Sequence, residues 1–215
     1  MSMRLSAAAL TAASALTLGA CATTAAPPTA QEAALVLEME SRSLVPATTA
    51  ERQSIANQDL LTQAAFWAEA YELNPADREA ATQLARVLRQ LGSAPRAIEV
   101  ARQALALFPD DAGLLGAYGL ALAAEGRGQQ AIEPLTRAAQ ADPGNWRLIN
   151  ALGVSLEQAG RTTAARARFH EAMMIAPHEP SILSNLALSH ALAGEPEQAE
   201  PLLRRAMDND LASPQ

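Results

Sequence analysis

The side chains best suited to catalysis or metal binding are few in this chain of 215 residues. Its single thiol is Cys21, so the sequence offers no cysteine pair or cluster for a metal ion. No two of its histidines lie four residues apart, the spacing that places two metal ligands on one helical face: His170, His178 and His190. Structural roles are therefore favoured for the histidines, and no metal site is predicted.

Two further clusters match functional motifs only in composition. Glu195, Glu197 and Glu200 fall where a turn meets the start of a predicted helix, a place where carboxylates interact favourably with the helix dipole and with water. Three glycines lie three residues apart on a predicted helix, and no lysine follows them as it does in a phosphate-binding loop: Gly113, Gly116 and Gly119. We therefore predict a protein that is not an enzyme and needs no cofactor, with an unrecognised hydrolase as the alternative.

Cys21 follows a stretch with the features of a secretory signal peptide. Residues 1–20 contain one basic residue, Arg4, and then the apolar run LSAAALTAASALTLGA. The LGAC sequence that ends at Cys21 resembles the bacterial lipobox, in which a peptidase cuts before a cysteine that carries diacylglycerol. An ordinary signal peptide with a chance cysteine at its end is the alternative. We predict a cleaved leader over residues 1–20 and lipid attachment, including palmitate, at Cys21.

The lipid would be the membrane anchor, because a second apolar run long enough to span a bilayer is absent from the sequence. Each buried methylene of an acyl chain contributes about 0.8 kcal/mol, so several chains hold a protein firmly. The residue after Cys21 is Ala22 rather than aspartate, and the resemblance to Gram-negative lipoproteins then implies the periplasmic face of the outer membrane. Residues 21–30 are uncharged and contain proline, which predicts an extended linker.

A 34-residue segment recurs three times without a break over residues 78–179, and a fourth copy follows it. Glycines mark one point in each copy (Gly92, Gly126, Gly160 and Gly194), and prolines mark three of the ends (Pro109, Pro143 and Pro177). With Arg78 counted as position 1, only small residues occupy positions 8 (Ala85, Gly119, Gly153, Ala187), 20 (Ala97, Ala131, Ala165, Ala199) and 27 (Ala104, Ala138, Ala172, Ala206). The repeat therefore specifies side-chain size as well as polarity.

Each repeat is predicted to form a pair of antiparallel helices. Apolar residues at positions 4, 7 and 11 share one face of a first helix, and the glycine at position 15 ends it, because a residue without Cβ enters the left-handed conformation at little cost. A second helix is predicted over positions 17–30, before the proline. Small residues at positions 8, 20 and 27 let the helices approach closely. Since one pair cannot bury its apolar face alone, successive pairs must stack.

This pattern resembles the tetratricopeptide repeat, and the resemblance covers residues 44–211. It implies an all-α superhelix with repeats at 78–111, 112–145, 146–179 and 180–211. The aromatic residues common at positions 4 and 11 of the family are replaced by other residues, including His190. Because Leu211 occupies position 32, where proline ends the other repeats, the fourth repeat is expected to be a frayed cap.

Residues 31–77 are predicted to form an N-terminal helical cap. Helical spacing of apolar residues extends over 31–44 and again over 51–73, where Asn74 and Pro75 end it. Pro75 lies 34 residues before Pro109, so residues 44–77 are in register as a degenerate first repeat. Its first helix lacks the signature, because Glu51 stands at position 8.

The resemblance also predicts where a partner binds. In the repeat family, positions 2, 5, 6, 9, 12 and 13 of the first helices line a concave groove. Position 9 gives an apolar row of Leu120, Val154 and Leu188, with Arg86 at one end. The other predicted groove residues are asparagines that can bind a peptide backbone (Asn150 and Asn185), polar or basic side chains for its ends (Gln83, Arg89 and Arg147), and two glycines (Gly113 and Gly116).

Gly113 and Gly116 each disfavour a helix by about 1 kcal/mol relative to alanine. Either a bulky partner side chain lies over Gly116, or the helices pack closely there. An extended or helical segment of an envelope protein is the predicted ligand. The groove lacks the lysine-rich carboxylate clamp of chaperone-binding relatives, so a free C-terminus is not specifically expected.

The net charge of −7 argues against nucleic acid and anionic membrane surfaces as ligands, and no small-molecule substrate is indicated. The lipidated leader, the single short array and the Gly126-Arg127 and Gly160-Arg161 turns resemble the TadD family of the tight adherence (Flp) pilus system. That resemblance implies a scaffold for pilus assembly and secretion, with a secretin as partner. A type IV pilotin, an outer-membrane assembly lipoprotein, a generic periplasmic adaptor and a built-in structural subunit remain alternatives.

Overall fold

Helices in antiparallel pairs make up the part of the chain that the computed structural model describes, residues 48–212, all of which belong to one compact unit. In chain order the helices are α1 (Thr49–Ile55), α2 (Leu60–Leu73), α3 (Arg78–Gln90), α4 (Ala94–Leu107), α5 (Ala112–Ala124), α6 (Gly128–Ala141), α7 (Trp146–Gln158), α8 (Thr162–Ile175), α9 (Pro180–Leu192) and α10 (Pro196–Ala212). The predicted leader, Cys21, the linker and the helix over 31–44 lie outside the described residues. The prediction of an all-α repeat fold is confirmed.

Glycine at position 15 ends the first helix of every repeat, as predicted. Gly92, Gly126, Gly160 and Gly194 have φ values of 73–77°, in the left-handed region. After α3, the Gly92 N–H donates to the Arg89 carbonyl and the Ser93 N–H donates to the Leu88 carbonyl. This pair of bonds is the Schellman motif, which satisfies carbonyls that a helix end leaves open. The same pair recurs after α5, α7 and α9.

The second helices of the first three repeats end two residues before a proline. Helices α4, α6 and α8 cover positions 17–30, as predicted, because the residue before a proline is driven out of the helical conformation. The last repeat, which the sequence predicts to be a frayed cap, has a longer second helix than the others. With Leu211 in place of proline, α10 continues to Ala212, beyond the point where the other second helices end.

The predicted small positions lie at close contacts between helices. Every alanine at positions 20 and 27 is buried. At position 8, a Cβ added to Gly119 would lie 2.6 Å from Leu135 Cγ, and one added to Gly153 would lie 2.5 Å from Phe169 Cε1. These glycines therefore accommodate the large residues at position 24 of their own repeats. Leu203, at position 24 of the last repeat, is 45% exposed.

The prediction of a single helix over 51–73 is wrong, because two helices occupy this segment. The chain leaves the helical conformation after Ile55, and Asp59 starts α2 by accepting hydrogen bonds from the Leu61 and Thr62 N–H groups. An aspartate that accepts hydrogen bonds from the first N–H groups of a helix is a favourable N-cap, and it begins a new helix here. Helix α2 nevertheless occupies positions 17–30 of the degenerate repeat register, as α4 does in its own repeat.

Successive first helices lie next to one another. Helix α3 contacts α5, α5 contacts α7, and α7 contacts α9, whereas successive second helices within the described array are not in contact. The closer spacing places the first helices on the inner side of the stack. No described helix combines the length and the apolar character needed to cross a bilayer.

Candidate functional site

A cavity of about 320 Å³ lies over the inner face of α5, in the second repeat. Its floor consists of small or apolar α5 residues, and its walls come from α3, the end of α6 and the start of α7. The lining residues are Thr82, Arg86, Ala112, Gly113, Gly116, Ala117, Leu120, Ala138, Asp142, Asn145 and Leu148. Four predicted groove residues are therefore brought together here: Arg86, Gly113, Gly116 and Leu120.

Leu148, Asn145 and Asp142 were not predicted as groove residues. Asn145 and Asp142 belong to the turn before α7, and the Asn145 Nδ2 group donates to Asp142 Oδ2 at 3.0 Å. Leu148 is buried at position 3 of the next repeat, a position outside the set that the resemblance supplied. Asp142 is the C-cap of α6 and Asn145 is the N-cap of α7, and neither role indicates from sequence that the residue lies in the groove.

The two glycines have different surroundings. A Cβ on Gly116 would lie 3.1 Å from Leu148 Cδ2, which is tighter than nearly all such contacts. A Cβ on Gly113 would lie 3.3 Å from Asp111 Oδ1. Close packing against Leu148 thus gives a reason for a glycine at residue 116, and the cavity remains open beside it.

Arg86 is held in place by two neutral side chains at the cavity wall. Its Nε donates to Gln83 Oε1 at 2.8 Å, and its Nη2 donates to Gln63 Oε1 at 3.2 Å. Gln63 is itself buried and donates to the Gln58 carbonyl at 2.7 Å. The predicted groove residue Gln83 therefore orients Arg86, and Gln63 of the degenerate repeat accepts its second hydrogen bond.

Arg89 lies one helical turn after Arg86 and is half-buried. Burial lowers the pKa of Arg89, and the nearby positive charge of Arg86 lowers it further. Both effects disfavour the charged guanidinium. The two arginines are thus a basic pair on one face of α3.

The other predicted groove residues lie on α7 and α9 and do not line the α5 cavity. The Asn185 Nδ2 group donates to Asn150 Oδ1 at 3.2 Å, so these amides bridge the third and fourth repeats. Val154 is half-buried, and Leu188 is 57% exposed. Leu192, one turn further along α9, is also exposed, which extends the apolar surface. Arg147 is exposed, with its guanidinium 4.3 Å from the centre of the Trp146 ring.

His190 belongs to a polar network between the third and fourth repeats, consistent with a packing role. Its Nδ1 lies 2.7 Å from Glu195 Oε2, which also accepts a bond from Arg166 Nη1 at 3.0 Å. Arg166 Nη2 donates to the Ser189 carbonyl, and Ser189 Oγ donates to Glu157. The hydrogen bond with His190 is the main cause that lowers the pKa of Glu195. Burial opposes it, and the hydrogen bond and charge of Arg166 lower the pKa further.

This network does not have the arrangement of a catalytic triad, because the Ser189 hydroxyl is bonded to Glu157 and Arg166 rather than to His190. Within residues 48–212, no three or more His, Cys, Asp or Glu side chains are grouped so that they could hold a metal ion. The geometry favours packing and recognition over chemistry.

Family models described as tetratricopeptide repeat match most of the array. One matches residues 63–112 and 82–145, and another matches residues 156–215. No curated protein matches the chain significantly.

Solved structures of MamA have a similar fold. MamA MSR-1 is 24% identical with a TM-score of 0.61, over 83% of this chain and 98% of that chain. MamA from Desulfovibrio magneticus RS-1, from residue 41 to its end, is 17% identical with a TM-score of 0.64, over 76% and 93%. MamA AMB-1 is 24% identical with a TM-score of 0.61, over 77% and 100%. At these identities, the similarity shows the fold alone.

Proposed function

Because the chain belongs to the tetratricopeptide-repeat family, whose members bind protein partners, we propose that it is a non-enzymatic scaffold that holds a segment of another protein in its inner groove. The observation that carries this proposal is the cavity over α5, in which a row of small residues leaves about 320 Å³ between Arg86 and Leu148. Specific polar groups beside an apolar pocket are the usual composition of a recognition site. The exposed Leu188 and Leu192 continue an apolar surface on α9.

The cellular setting we propose is the periplasmic face of the outer membrane. The LGAC sequence at Cys21 supports a lipid anchor, and Ala22 supports outer-membrane sorting. A lipid-anchored scaffold with a short linker would hold its partner near the membrane. The TadD-like combination of leader and short array supports the narrower proposal of Flp pilus assembly, with a secretin or a neighbouring assembly component in the groove.

Replacing Cys21 by serine should abolish membrane attachment. A hydroxyl cannot form the thioether to diacylglycerol, so the variant should be released into the periplasm or remain unprocessed at the inner membrane. Membrane fractionation and metabolic labelling with palmitate measure the change. Thr23→Ser is the control, because it leaves the cysteine intact. Unchanged outer-membrane fractionation of the variant, together with unlabelled wild-type protein, would contradict the anchor.

The groove is tested by Val154→Glu combined with Asn185→Ala. A carboxylate on the apolar row and loss of the Asn185 amide should abolish co-purification of the partner from the native strain, which quantitative mass spectrometry can measure. Gln129→Ala, on the exposed start of α6, is the control. Under the pilus proposal, the double variant should also reduce secretin multimers and surface pili.

Val154 is half-buried, so circular dichroism must show that the double variant is folded. Leu188→Glu provides a second variant at a site where the side chain is already exposed and folding is less affected. Full retention of the partner by both folded variants would place the binding site elsewhere. If the variants lose the partner but the strain still forms normal pili, the scaffold proposal stands and the proposed role in Flp pilus assembly is wrong.

A further inference from the structure

Arg89 differs from the other half-buried arginines in its environment. Three of them bind carboxylates: Arg52 binds Asp77 and Glu79, Arg137 binds Asp110 and Glu133, and Arg166 binds Glu195. Arg86 binds only the neutral oxygens of Gln63 and Gln83. Arg89 makes no hydrogen bond or ion pair with any residue in the described part of the chain.

A guanidinium has five N–H donors, and partial burial costs Arg89 some of its hydration while leaving only water to accept its hydrogen bonds. The like charge of Arg86 adds to this cost, as the lowered pKa of Arg89 shows. A carboxylate placed against both side chains would remove the repulsion and accept charge-assisted hydrogen bonds, which are stronger than neutral ones. The pair is therefore an incomplete ion cluster that matches an acidic group.

The position of Arg86 at the α5 cavity gives the ligand a direction. Arg86 forms the α3 wall of that cavity, and Asp142 belongs to its lining near the α7 side. An acidic ligand group would be attracted to Arg86 and repelled by Asp142. Between them, Leu120, Ala117 and Gly116 leave an apolar floor.

We propose that Arg86 and Arg89 form a subsite for an aspartate or glutamate side chain of the bound protein segment, and that a neighbouring bulky apolar side chain of the segment enters the cavity over α5. This inference rests on the proposed scaffold function and specifies the ligand that the groove selects. The ligand is an acidic residue beside a large apolar residue within a chain, so recognition needs no free C-terminus. Electrostatic pairing here determines which segments bind and in which direction.

A phage-displayed library of random peptides, selected on the purified full-length protein, tests the proposal without a known partner. Selected peptides should carry Asp or Glu next to a bulky apolar residue. The strongest binder is then synthesised with its acid, and again with the matching amide in its place. Fluorescence anisotropy measures binding of both peptides to wild-type protein and to Arg86→Gln/Arg89→Gln.

The acidic peptide should lose affinity for the double variant by on the order of 30-fold, the size expected when one partner of a partly buried charge pair is removed. The amide peptide should bind wild type and double variant with similar, weak affinity. Arg96→Gln/Arg161→Gln is the matched control, because it removes two exposed arginines and leaves α3 unchanged. This control should bind the acidic peptide like wild type.

Two outcomes would overturn the subsite. One is that the selected peptides lack an acidic residue, and the other is that the acidic peptide binds wild type and the α3 double variant with equal affinity. If binding of such peptides is still lost in Leu120→Glu, which places a carboxylate in the lining of the α5 cavity, the scaffold proposal stands and only the subsite fails. Peptides that bind Leu120→Glu and the α3 double variant like wild type would place recognition outside the cavity and overturn both proposals.

Discussion

Replacing Ala165 by leucine should lower the free energy of unfolding by about 1–3 kcal/mol, the typical effect of forcing a larger side chain into a packed core. Ala165 is 0% exposed and occupies position 20, where the two helices of the third repeat approach closely. A branched four-carbon side chain would have to push α8 away from its neighbours. Ala131→Leu places the same change in the second repeat and should behave in the same way.

Thermal unfolding followed by circular dichroism measures both variants. For a domain of this size, each kcal/mol corresponds to about 2–4 °C in the melting temperature. Gln129→Ala, at an exposed position of α6, should leave the melting temperature unchanged. Equal melting of all three proteins would mean that position 20 does not require a small residue.

Gly153→Ala should also destabilise the protein, although alanine favours a helix more than glycine does. The new Cβ would lie 2.5 Å from Phe169 Cε1 and 2.7 Å from its Cδ1, so the buried ring must move. Overpacking of about 1–3 kcal/mol then exceeds the gain of up to about 1 kcal/mol in helix propensity. Urea denaturation gives the free energy of unfolding. Gly144→Ala, in an open turn, is the control and should change it little.

A double-mutant cycle tests whether contact with Phe169 causes the loss of stability in Gly153→Ala. On a Phe169→Ala background the ring is absent, so Gly153→Ala should lose its cost and become neutral or stabilising. The first repeat already combines these residues, with Ala85 at position 8 and Ala101 at position 24. A coupling energy of at least about 1 kcal/mol is expected for side chains in direct contact. Additive effects of the two substitutions would show that the steric contact does not determine the choice of glycine.

The helix boundaries of the array were predictable because glycine and proline act locally. A left-handed residue at Gly160 or a proline at Pro143 constrains the backbone whatever surrounds it. The break before α2 was missed because Gln58 stands where the other repeats have glycine, and only the capping bonds of Asp59 reveal the new helix. Local rules therefore predict regular repeats better than degenerate ones.

The groove was predicted less completely than the fold. Arg86 and Leu120 were identified because each occupies position 9 of its repeat, and the structure places both at the α5 cavity. Leu148 comes from the next repeat, and the amide of Gln63 reaches Arg86 across 23 residues of sequence. Contacts of this kind depend on the angle between stacked helix pairs, which residue spacing does not specify.

The polar network at the last junction has a consequence for how the array can evolve. At position 21, Ile98 and Ile132 are apolar, but Arg166 is charged and is satisfied by Ser189 and Glu195 of the following repeat. If the third repeat were followed by a copy of the second, Arg166 would meet Ala121 and Arg127 instead. It would lose the Ser189 hydroxyl and the Glu195 carboxylate, keep only a backbone carbonyl as acceptor, and face a like charge. The last two repeats are therefore inherited as a matched pair, and duplication or loss of a single 34-residue unit is tolerated more easily upstream of them.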